Sequence, residues 1–149
     1  MRLALSSLAL ALCAASPALA ETRAEIRGGV DWPDGQKADG TIGGALGYDA
    51  PVGGGAFVGI EETVDKALTS TEHVRFGTSA RLGTHVTARD KLYATAGYNY
   101  GKGPNAPDVG GGWEHSFGSV YGKVEYKHFF DEQGAPHRNA ALVGLGVHF

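Results

Sequence analysis

Cysteine is almost absent: Cys13 is the single one in 149 residues. A disulfide framework is therefore excluded, and so is a Cys-ligated metal site. Charge is scarce too, at 19% of the chain, with 13 Lys and Arg against 16 Asp and Glu. No basic run or excess points to nucleic acid as a partner. After the first twenty residues no apolar stretch approaches eighteen positions, so no membrane-crossing helix is expected. That test does not reach strands, which cross a bilayer with alternating apolarity.

What the chain has in excess is glycine, 24 residues or about one in six, more than twice the average of roughly 7%. There is no G-X-Y period, so collagen is out. Six Phe, six Tyr and two Trp supply enough apolar surface to argue against disorder.

Residues 1–20 read as a secretory signal. Arg2 gives a short positive start, Leu3–Leu12 an apolar core, and Ala18-Leu19-Ala20 a small-x-small cleavage site. Cys13 leaves a lipoprotein signal as a competing reading, although Leu12 fits that poorly. Cleavage after Ala20 leaves one expected domain, 21–149, without a thiol.

That domain shows period two throughout. Eight segments alternate: Thr22–Asp31, Thr41–Ala50, Gly55–Val64, His73–Gly83, Lys91–Gly101, Asp108–Phe117, Val120–Phe130 and Asn139–Phe149. None carries a helical period. The expected connections alternate in length. Trp32–Gly40, Asp65–Glu72, Gly101–Pro107 and Asp131–Arg138 are longer and polar. Pro51–Gly54 and Gly118-Ser119 are tight, while Thr84–Asp90 is longer than that pattern wants. Eight spanning strands of about 9–11 residues fill roughly 72–88 positions; ten would leave the connections cramped.

Charge tells the two faces apart. Glu25, Arg27, Asp31, Glu61, Arg75, Arg81, Glu114, Lys123, Glu125 and Lys127 share one parity, five acidic and five basic. The other face is apolar, apart from Thr78, His115 and His128. In a bilayer every backbone polar group must be paired inside the protein, which requires a closed barrel. The expected fold is all-β: an eight-stranded antiparallel up-and-down transmembrane barrel with a charged interior. Arg75, Arg81 and Lys123 would pair there with Glu61, Glu114 and Glu125. The inward glycines Gly43, Gly47, Gly59, Gly77, Gly97, Gly144 and Gly146 would make room for Arg75, Arg81 and Tyr93. With the first strand taken to run outward, Trp32, Tyr98, Tyr100 and Phe130 would form an outer aromatic girdle, and Tyr48, Phe117 and Phe149 an inner one. A soluble lipocalin-type barrel inverts the faces and is the alternative.

The run Val109–His128, with Val124-Glu125-Tyr126-Lys127 in its second strand, resembles a hairpin of the opacity-protein and OmpA/OmpX-like outer-membrane barrels. The terminal segment Leu142–Phe149 resembles the C-terminal signal read by the barrel assembly machinery, with Val143, Leu145, Val147 and Phe149 alternating. The resemblance implies residence in the outer membrane of a Gram-negative cell, with lipids, lipopolysaccharide and that machinery as partners, and a monomer. The expected role is structural or surface interaction, with any recognition carried by the longer loops. A narrow channel for small solutes and a secreted binding barrel are the alternatives.

No enzyme, cofactor or metal is expected. The six histidines match no ligand spacing. Ser116, His115 and Glu114 are adjacent, and neighbours on a strand point to opposite faces. Gly110-Gly111-Gly112 lacks the Lys and helix of a phosphate loop. Asp31, Asp34 and Asp39 could loosely hold Ca²⁺, but a solvated acidic loop is the simpler reading.

Overall fold

The computed structural model describes residues 20–68, 74–102, 105–130, 134 and 136–149. Residues 1–19, which hold most of the expected signal, lie outside that set, as do His73 and parts of three expected loops. Period-two alternation gives eight strands: β1 (Glu21–Pro33), β2 (Asp39–Gly53), β3 (Ala56–Ala67), β4 (Val74–His85), β5 (Asp90–Gly101), β6 (Ala106–Phe117), β7 (Val120–Phe129) and β8 (Arg138–His148). Each pairs antiparallel with its neighbours in sequence, and β8 closes on β1 to complete the barrel. The backbone of Phe149 extends the closure, exchanging two hydrogen bonds with Thr22 at 3.0 and 3.1 Å.

The strands are staggered. One rung runs from Arg23 to Gly47, Glu61, Ser79, Gly97, Asp108, Phe129 and Arg138. It returns to β1 at Pro33, ten residues beyond its start. Such a stagger tilts the strands against the barrel axis, and at eight strands the bore is just wide enough for side chains to fill.

The strands run further than the alternation suggests. Asp31 pairs with Asp39, so the first connection shrinks to residues 34–38. Asp65 and Lys66, expected in a loop, pair with Arg75 and Val74. Arg138 pairs with both Pro33 and Phe129. Near the rims polar side chains occupy both faces and the periodic signal fades, but each backbone still finds a partner on the next strand. At the other end β2 continues through an irregularity between Pro51 and Gly53. The turn is then Gly54-Gly55, at φ 61° and 81°, the left-handed backbone that two-residue hairpins demand. The β4–β5 connection is also shorter than expected, since β4 reaches His85, and Val86 donates to the Asp90 carbonyl at 2.9 Å.

Candidate functional site

Alternation sends one set of side chains into the bore. All ten charged residues assigned to the interior point there, Asp31 and Arg75 near the outer mouth and the others deeper. Arg23, Asp49, Asp65, Lys91, Asp108 and Arg138 join them, three bases and three acids, with Glu21 and His148 paired at the other end of the bore. Four of the six share the inward parity of their strands and were legible. Asp65 and Arg138 fall in segments whose sequence reads as loop.

At the centre is Glu61, fully buried. Its carboxylate meets Arg23 at 3.1 Å, Lys123 at 3.3 Å, and Arg27 and Arg81 at 3.7 Å. Arg23 also holds Asp49 at 3.2 Å, and Arg81 holds Glu114 at 3.3 Å. Lys123 reaches Glu25 at 3.0 Å and Glu125 at 3.7 Å. Two phenols complete the layer, Tyr121 donating to Glu25 at 2.9 Å and Tyr93 to Glu125 at 2.8 Å. The Arg81 guanidinium lies 3.9 Å from the centre of the Tyr93 ring, within cation–π range.

Below this hub Lys91 joins Glu21 to Glu114, and His148 sits 2.8 Å from Glu21. Above it Arg27 engages Asp65, and Lys127 bridges Asp108 and Ser79 at 3.1 Å each. Arg75 departs from its expected partners: it pairs with Asp31 at 3.3 Å, beside Arg138, because it enters β4 at the outer end, away from Glu61, Glu114 and Glu125. Among the described residues, a cavity of about 30 Å³ at this mouth is lined by Arg27, Asp31, Asp65, Arg75, Asn99 and Arg138. That is about the volume of one water molecule.

Glycine makes the filling possible, for Tyr93 as expected but for Arg23 and Tyr121 in place of Arg75 and Arg81. A Cβ at Gly47 would fall on the Arg23 guanidinium, at Gly146 on the Tyr121 ring, and at Gly112 on Tyr93. In each case the glycine is the in-register partner of the large residue on the next strand. Room is made along a rung, which spacing within one strand does not reveal.

The other face is apolar. Ile26 is 72% exposed, and Leu46, Leu82, Val143, Leu145 and Val147 are exposed with it. Phe149 continues that row past the end of β8. Trp32, Tyr98, Tyr100 and Phe130 sit at one end of the barrel and Tyr48 and Phe117 at the other, as the strand directions require. Phe76 stacks on Tyr100 at 6.0 Å. The outward histidines are both engaged: His128 with Asn139 at 2.8 Å, His115 with Asp90 at 2.7 Å, where Trp113 also donates at 3.1 Å. Among the outward charges one stands at mid-strand. Glu62 stands on the apolar face, accepting a 2.8 Å hydrogen bond from the Thr78 hydroxyl.

Glu114 faces inward and His115 outward, so His115 and Ser116 do not converge. Asp31 turns into the bore while Asp34 accepts a 3.1 Å hydrogen bond from Asn139, which separates the acids of the first connection.

No family model matches the chain, and no curated protein matches its sequence. Solved structures do. The Yersinia pestis attachment invasion locus protein Ail superposes with a TM-score of 0.65 at 13% identity, covering 87% of this chain and 97% of that one. The N-terminal barrel domain of Pseudomonas aeruginosa OprF gives 0.63 at 14%, covering 85% and 97%. Neisserial surface protein A gives 0.61 at 12%, covering 87% and 97%. With its charges inside and its apolar belt outside, the chain has the fold of the eight-stranded outer-membrane barrels.

Proposed function

We propose that this protein is an integral outer-membrane barrel that acts at its surfaces, with neither an open bore nor a catalytic centre. The observation that carries this is the interior: Glu61 and the four cations around it fill the cross-section. A solute path would have to break several buried ion pairs at once, each costly to break by halves. The narrow-channel alternative draws no support from a cavity the size of one water.

Residues 1–20 serve as the export leader in this reading, and the row Val143, Leu145, Val147, Phe149 is presented to the assembly machinery. Lipids contact the apolar belt, and lipopolysaccharide meets the outer rim around Trp32, Tyr100 and Phe130. Contacts with other cells or molecules fall to the outer connections, of which residues 34–38 are the first. Two of the similar structures carry "attachment invasion" and "surface protein" in their names, the same class of role. The outer connections are short, which favours a compact structural or docking element.

The test is conductance. Protein refolded in detergent and added to a planar bilayer is expected to stay silent, while a reproducible unit conductance would sink the proposal. Labelling Lys37 on intact cells with an impermeant amine reagent tests surface display; labelling only after lysis would overturn it.

A further inference from the structure

Glu62 has no place in the bore. It lies in the middle of β3, between Ile60 and Val64 on the lipid-facing side. Ile60 pairs with Tyr48 of the lower girdle, and Val64 pairs with Phe76, which stacks on Tyr100 of the upper one. The carboxyl therefore stands midway between the rims, at the depth where hydrocarbon offers nothing to a polar group. Ionisable side chains at that depth are costly and mark sites with a partner. Thr78 supplies one hydrogen bond, to Oε2, and a carboxyl group accepts several.

Beside Glu62 the surface is concave. A groove of about 700 Å³ is lined by Glu62 together with Ala24, Ile26, Gly44, Leu46 and Val64. Small residues such as Ala24 and Gly44 let two membrane-embedded surfaces approach closely.

We propose that this face is a self-association surface, on which two copies pair around Glu62 in place of the monomer expected from sequence. Lipid tails cannot hydrogen-bond the carboxyl, so its partner must be protein carrying a polar group at the same depth. A second copy inserted in the same orientation meets that condition automatically. A twofold axis along the membrane normal brings the two Glu62 carboxyls together as a neutral pair, each O–H donating to the other carboxyl and each Thr78 hydroxyl supporting its own. The contact is isologous, so it closes at two copies.

Disulfide cross-linking in lipid vesicles tests this. Leu46 is the rung partner of Glu62, and Cys13 is the sole native cysteine, so L46C with C13S carries one thiol. It is expected to cross-link to a dimer, while V124C in the same background, on the far side of the barrel, stays monomeric. Adding E62L should lower the L46C dimer yield about tenfold. E62Q, which both donates and accepts, should preserve it. Heat-modifiable migration of every variant establishes that the barrel is folded. Equal cross-linking of L46C with and without E62L overturns the proposal. So does an L46C that stays monomeric, and so does equal cross-linking at L46C and V124C.

Discussion

Arg23 Nη1 and Lys123 Nζ converge on the same oxygen of Glu61, at 3.1 and 3.3 Å, from strands on either side of the barrel's closing seam. A single carboxylate thus ties β1 and β7 to β3 across the bore. Replacing Glu61 by Leu removes the shared anion and leaves its cations buried without it. Breaking a buried pair from one side costs about 3–5 kcal/mol. Urea unfolding of refolded protein in micelles should show a loss of that order for E61L. A change within about 1 kcal/mol would mean that the neighbouring carboxylates take over.

Gly146 and Gly122 offer a matched comparison. A Cβ at Gly146 meets the fully buried Tyr121 ring, whereas at Gly122 the nearest atom is a Leu145 methyl 3.8 Å away on the lipid side. Gly146→Ala should destabilise by about 1–3 kcal/mol, the range for overpacking a filled core. Gly122→Ala should leave the unfolding midpoint near that of the parent. Equal effects would show that the bore adjusts more freely than its packing implies.

Leu145 lies on the lipid face of β8, 61% exposed. Leu145→Arg should cost about 2–4 kcal/mol in a bilayer, falling toward zero nearer a rim. The comparison is with Val147→Arg, two residues closer to the inner end of the strand. Equal penalties at both positions would contradict the placement of the apolar belt.

Phe149 is 73% exposed, while its backbone completes the pairing of β8 with β1 through Thr22. Deleting it should lower the yield of folded, heat-modifiable protein in cells. Phe149→Tyr, which keeps an aromatic ring, should restore that yield. An undiminished yield from the deletion removes this residue from the assembly signal.

At the β2–β3 turn, Gly54 has φ 61° with open space around it. Gly54→Val should cost about 1–2 kcal/mol through backbone strain alone. Gly54→Asn, which tolerates the left-handed region, should cost less. The two unfolding curves decide it, and coincident midpoints would remove strain as the cause.

Faces were legible in the sequence and heights were not. Parity along each strand identifies which side a residue takes, so Glu25, Arg81 and Lys127 could be placed inside from spacing alone. Partners depend on the ten-residue stagger, which no single strand reveals. That is why parity places Arg75 among Glu61, Glu114 and Glu125 while the stagger brings it to Asp31. Arg23, Lys91 and Asp108 share the inward parity, but at strand ends the alternation that would mark them is short. Glu62 breaks the apolar pattern of its own face, and only the three-dimensional arrangement shows that Thr78 lies beside it.

The seam between β1 and β8, where Arg23 pairs with His148, has a consequence for how the molecule comes into being. Its two halves are the first and last segments of the domain to leave a ribosome. Until the final strand is available, every intermediate exposes two open edges whose amide and carbonyl groups hydrocarbon cannot satisfy. Closure is thus an all-or-none event that no truncated chain can rehearse. Whatever delivers this protein to the bilayer must shelter both edges until the last residue is in hand.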